Sequence, residues 1–151
     1  MSNDDIIDTL NDLIETCKDG EYGFRASAEY VGSPTTRQSF ERRAEECLQA
    51  AGELQAIVVR LGGKAEDSGT ASGAMHRGWV AVKGTLAGYT DKAILEETER
   101  GEDSAMTAYR KALSEPLPPD VRMVVERQFE GVKRNHLEVR TLRDQARAAA
   151  L

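Results

Sequence analysis

Ile94-Leu95-Glu96-Glu97-Thr98-Glu99-Arg100-Gly101-Glu102-Asp103-Ser104-Ala105-Met106-Thr107-Ala108-Tyr109-Arg110-Lys111-Ala112-Leu113 reads as a helix with a single buried stripe. At helical spacing, Leu95, Thr98, Glu102, Ala105, Tyr109 and Ala112 share one face, which must pack against neighbours. Glu102 therefore puts a carboxylate in the middle of a packed surface. Such a charge is costly unless it is paired, hydrogen-bonded or bound to a metal. The chain's chemistry turns on which of these holds.

Upstream, Thr90 caps this helix and Asp91 lies in its first turn; downstream, it ends before Pro116. Pro116, Pro118, Pro119 and Asp120 lead into a last helix with the stripe Val121, Val125, Phe129, Val132, His136 and Val139. Residues 147–151 are expected to fray. The first helix starts near Asn3 or Asp4 and buries Ile6, Leu10, Leu13, Cys17, Phe24, Ala28 and Val31. Gly20 interrupts that stripe, and Glu21 leans inward beside it. In Val31-Gly32-Ser33-Pro34, Gly32 ends one helix, Ser33 caps the next and Pro34 takes its first position. The second helix buries Phe40, Ala44, Cys47, Ala51, Leu54, Val58 and Leu61 and stops at Gly62-Gly63. Arg43 lies at the edge of its buried face, and Glu46 and Glu53 share a flank.

Residues 62–89 form a connection far longer than an ordinary loop. Gly63-Lys64-Ala65 lacks the Ser or Thr that a phosphate-binding loop needs. Met75, Trp79, Val82 and Leu86 give the stripe of a short helix, with Trp79 its anchor and His76 expected to cap or pack beside it. Two antiparallel helix pairs joined by a long crossover make an all-α, ferritin-like four-helix bundle, a single domain over residues 1–151. Counting from the turns brings Glu21, the Glu46/Cys47 turn, Glu102 and the Val132-to-His136 turn to one height.

Composition excludes several classes. The 151 residues carry a net charge of -6 with acid and base interspersed, so no basic stripe selects nucleic acid. No apolar run suits a bilayer, and the acidic start Met1-Ser2-Asn3-Asp4-Asp5 lacks the pattern of a signal peptide. Cys17 and Cys47 both fall on apolar stripes and read as buried free thiols in a reducing cytoplasm. A homodimer through a helix face is the candidate assembly.

Leu10-Asn11-Asp12-Leu13-Ile14, Lys18-Asp19-Gly20-Glu21, Glu53-Leu54-Gln55, His76-Arg77-Gly78-Trp79, Glu99-Arg100-Gly101-Glu102-Asp103 and His136 resemble an uncharacterised bacterial family of ferritin-like four-helix-bundle proteins. The resemblance implies the fold and no established activity. Di-iron ferritin-like proteins carry a Glu on each of two helices and Glu-x-x-His on the other two. Matched by helix, Glu21 and Glu102 stand for the single carboxylates. The second helix offers Glu46-x-x-Gln49 and the fourth Lys133-x-x-His136, so a lysine replaces one bridging Glu. A cation there opposes a dinuclear centre.

Two readings stay open. In the first, the chain is a non-catalytic structural or stress-associated interaction protein, with Arg43 or Lys133 neutralising the inward carboxylates. In the second, Glu21, Glu46, Glu102 and His136 bind one ion of iron, manganese or zinc, a degenerate remnant of the two-metal set. Glu96, Glu97 and Glu99 are expected to form a solvated face with Arg100.

Overall fold

The computed structural model describes residues 1–69 and 90–150. Nearly all of them lie in α1 (Asn3–Tyr30), α2 (Pro34–Arg60), α3 (Asp91–Leu113) and α4 (Pro119–Ala150). Local chemistry sets the boundaries. Ser2 and Asp5 close a capping box at the start of α1. Ser33 Oγ accepts from the Thr36 N–H with Pro34 in the first turn of α2, and Thr90 Oγ1 accepts from the Ala93 N–H at α3. At the end of α2, Gly63 N–H donates to the Val58 carbonyl and Gly62 N–H to that of Val59. Gly62 sits at a φ of 85°, the left-handed geometry this ending favours. Gly63 is required by proximity, since a Cβ there would lie 2.7 Å from Ile7 Cδ1.

The α1–α2 turn is tied to the start of α3. Asp91 accepts from the Gly32 N–H at 2.7 Å and the Ser33 N–H at 3.1 Å. One carboxylate thus satisfies two turn amides that no helix could. At the opposite end, Asn11 holds the chain leaving α2, donating to the Lys64 carbonyl and accepting from the Glu66 N–H.

Helices α1 and α2 pack as one antiparallel pair, α3 and α4 as the other, and α1 lies against α3, whereas α2 and α4 touch little. The apolar side chains fall into two clusters. Leu10, Leu13, Leu54, Val58, Tyr109 and Val125 belong to one; Phe24, Phe40, Ala44, Leu95 and Val139 belong to the other. Along the chain, Thr98 and Glu102 fall between Leu95 and Tyr109, and Asn135 between Val132 and Val139. All three are buried, so a polar layer separates the clusters.

The sequence expectations hold for the helices and their stripes, with two corrections. The tail is helical to Ala150, and Arg147 reaches Glu96 at 3.2 Å. Glu97 is buried rather than solvated, and Glu99 is nearly so. The expected crossover helix over Met75, Trp79, Val82 and Leu86, with His76, lies outside the described residues. Among the described residues there is no strand, and no helix is long and apolar enough to cross a membrane.

Gly20, the break in the α1 stripe, is explained by close approach. A Cβ there would stand 2.9 Å from Cys47 Sγ, closer than real contacts allow. Gly20→Ala should therefore lower stability by about 1–2 kcal/mol, overpacking outweighing the gain in helix propensity. Thermal melts of Gly20→Ala with and without Cys47→Ala test this. The second change should rescue the first, and additive losses would refute the contact.

Candidate functional site

The centre of the bundle holds an ion pair. Arg43 reaches from α2 across to α3, its Nε 3.5 Å from Glu102 Oε1. Both are deeply buried, at 6% and 2% exposure. Burial pushes the Glu102 carboxyl above its ordinary value, and Arg43 pulls it back. Asn135 comes near enough to contribute to that pull, yet neither Asn135 Nδ2 nor Glu102 Oε2 makes a hydrogen bond of good geometry.

Polar and sulfur groups continue from this pair. Tyr109 Oη donates to Gln128 Oε1 at 2.8 Å and lies 3.3 Å from Cys17 Sγ. Gln128 Nε2 donates to the Ala50 carbonyl and to Glu53, itself bound by Arg127, which holds the Glu53 carboxyl below its ordinary value. Cys17 and Cys47 are free, buried thiols whose pKa values burial raises. Protonated thiols of this kind are poor nucleophiles.

Of the residues singled out from sequence, the structure places each against a definite partner. Glu21 pairs with Lys18 and Arg25 on its own helix, and Glu46 with Arg42 on its own. Glu102 faces Arg43, and His136 Nε2 lies 2.5 Å from Asp103 Oδ1. Glu21, Glu46, Glu102 and His136 are thus each engaged separately. Among the described residues, the side chains whose donor atoms converge are Glu99, Asp103 and His136, all within 4.8 Å of one another.

Helix geometry makes this second group. Glu99 and Asp103 are four residues apart on α3 and so share a face, while His136 projects from the adjacent α4. Glu99 is ion-paired with Arg143, two helical turns beyond His136 on α4, and its side chain is only 13% exposed. Asp103 is open to solvent. Two carboxylates and an imidazole form a donor set suited to a divalent ion, with Arg143 orienting Glu99 from outside. Sequence reading passed over Glu99 by assigning it to a solvated face with Arg100, which pairs with Glu97 instead. The available signal was the spacing of Glu99 and Asp103 in the same turn as Glu102.

The dinuclear arrangement of ferritin-like proteins does not fit these residues. It needs carboxylates and imidazoles converging from all four helices. Here a guanidinium occupies the centre, and Lys133 stands over the Phe129 ring at 4.8 Å with Glu130 as its partner.

Helix order and packing define a ferritin-like four-helix bundle. Residues 5–115 match the family described as a domain of unknown function (DUF2383), and the chain belongs to that family. Two solved structures share the fold. One is described as a dodecameric thioferritin, the bacterioferritin-related protein of Bacteroides fragilis; it superposes at a TM-score of 0.77 with 16% identity, covering 99% of this chain and 91% of that one. The other is a mutant of Mycobacterium smegmatis Dps1, at a TM-score of 0.76 and 15% identity, covering 95% and 99%. At such identities the likeness concerns the fold. No curated protein sequence matches the chain.

Proposed function

We propose that this ferritin-like chain binds a single divalent cation at the seam of α3 and α4 through Glu99, Asp103 and His136, and does not carry a two-metal oxidation centre. The observation behind this reading is the convergence of three ligand atoms within 4.8 Å of one another. Asp103, open to solvent, offers the entry side, and water can complete the coordination sphere. Glu99, paired with Arg143, offers a carboxylate oxygen to the site. His136 must be neutral to ligate, so protons compete with the ion and binding weakens on acidification.

Titration calorimetry with zinc and manganese on chelator-stripped protein tests the reading. One ion per chain is expected. His136→Ala and Asp103→Ala should each lower affinity at least about tenfold, as removal of a ligand does. Glu21→Gln and Glu46→Gln should leave affinity unchanged, which separates this set from the wider one suggested by helix heights. An absence of uptake at neutral pH, or uptake indifferent to His136→Ala, would overturn the proposal.

A second reading rests on the buried Arg43–Glu102 pair. A guanidinium paired with the central carboxylate opposes a metal there, and supports a non-catalytic bundle acting through its surface. Metal-free protein that keeps its full stability and helicity favours this reading.

A further inference from the structure

Separate from the α3–α4 seam, a cavity of about 610 Å³ opens into the bundle, within the range of small-molecule sites. All four helices contribute to its lining, and both members of the central pair, Arg43 and Glu102, are part of it. A guanidinium carries five N–H donors. Among the described residues Arg43 uses one of them, on Glu102 Oε1 at 3.5 Å. Glu102 Oε2 is buried with no hydrogen-bond partner. Both members of the pair therefore keep unmet hydrogen-bonding capacity, of opposite sign.

Other charged groups of the lining, Asp19, Glu46 and Arg134 among them, surround this pair, and several are compensated, Glu46 by Arg42. Arg127 is paired with Glu53 and Arg100 with Glu97, while Phe24, Ala105 and Val132 supply apolar wall. Gly20, Gly23, Gly101 and Gly131 all lie inside helices and all line the cavity. At Gly101 a Cβ would meet nothing within 4 Å, and at Gly131 only the end of the Arg134 side chain, so no packing contact requires glycine at either position. Mid-helix glycine costs helix stability, and whereas Gly20 is needed for its approach to Cys47, Gly101 and Gly131 border the cavity without such a packing reason.

We propose that the cavity binds a small zwitterion of the α-amino acid class, with an aliphatic side chain. The carboxylate would meet the open fork of Arg43, and the ammonium would meet Glu102 Oε2. Charge balance selects this class. A simple anion satisfies Arg43 but confronts Glu102, and a simple cation does the reverse. A zwitterion answers both and leaves the buried net charge unchanged. The apolar wall of Phe24, Ala105 and Val132 takes the side chain.

The probe is L-leucine, titrated calorimetrically into the full chain beside isocaproate, which lacks the ammonium, and isoamylamine, which lacks the carboxylate. Leucine should bind at least about tenfold more tightly than either, the scale of one charge-assisted hydrogen bond. Arg43→Met should remove binding. Because that variant disturbs the core, Gly131→Leu provides the independent arm. A Cβ there meets only the end of the Arg134 side chain, at 3.6 Å, so the leucine fills cavity space while helix propensity improves. Gly131→Leu should keep its helicity and melting temperature and lose leucine binding. No heat at millimolar leucine, equal binding of the three probes, or binding untouched by Gly131→Leu would each overturn the assignment.

Discussion

Arg43→Met should cost about 3–5 kcal/mol of stability at neutral pH, the order expected when one partner of a buried ion pair is removed. The guanidinium is 6% exposed and its partner Glu102 2%, so water cannot take over its role. The loss should depend on pH in a defined direction. Burial already raises the Glu102 carboxyl, and Arg43 is the main group opposing that rise. A raised carboxyl holds more protons folded than unfolded between its ordinary value, about 4.3, and its raised one. Stability therefore falls as pH climbs through that window. Removing Arg43 extends the window upward and deepens the fall, so the variant should recover relative to wild type on acidification. Denaturant melts at neutral pH and at about pH 5 measure the difference directly. The double variant Arg43→Met/Glu102→Leu should regain most of the stability, because apolar groups of similar volume replace both charges. A loss independent of pH, or a double variant as weak as the single one, would contradict the pair's role.

This pair also shows how far the sequence could be read. The stripe through Leu95, Thr98, Glu102 and Tyr109 put a carboxylate inside the bundle, and Arg43 on the edge of α2 was a candidate to meet it. Both follow from helical periodicity, which is a property of each helix alone. Caps were legible for the same reason: Ser33 and Thr90 act within one turn of their own chain.

Rotation of one helix against another was not legible. Glu21 and Glu46 lie on flanks, and a flank residue turns inward or outward with a small change in helix rotation. Arg25, four residues after Glu21, and Arg42, four residues before Glu46, take those carboxylates along the surface of their own helices. Glu97 and Glu99 moved the other way. The partner of Glu99 is Arg143, on a different helix, and no spacing within α3 announces it. His136 was found because it interrupts an apolar stripe, whereas Asp103 was not, because an exposed carboxylate on a polar face carries no periodic signal.

The second large effect is expected at Phe40. It is 1% exposed, and its ring lies 5.5 Å from that of Phe24 at a 56° tilt, a favourable aromatic pairing between α1 and α2. Phe40→Ala removes that contact and leaves a void, with an expected loss of about 3–5 kcal/mol. Val59→Ala, on the same helix but at 64% exposure, should change stability by no more than about 0.5 kcal/mol. The Phe40 variant also asks whether the two apolar clusters unfold together. Phe40 belongs to the cluster of Phe24, Leu95 and Val139, on the far side of the polar layer from Leu13, Val58 and Val125. Each helix contributes to both clusters, so neither can melt without breaking every helix in two. Unfolding should accordingly stay a single cooperative transition, moved to lower temperature as a whole. A separate early transition in calorimetry, with part of the helicity retained, would mean that the polar layer divides the bundle into independent halves.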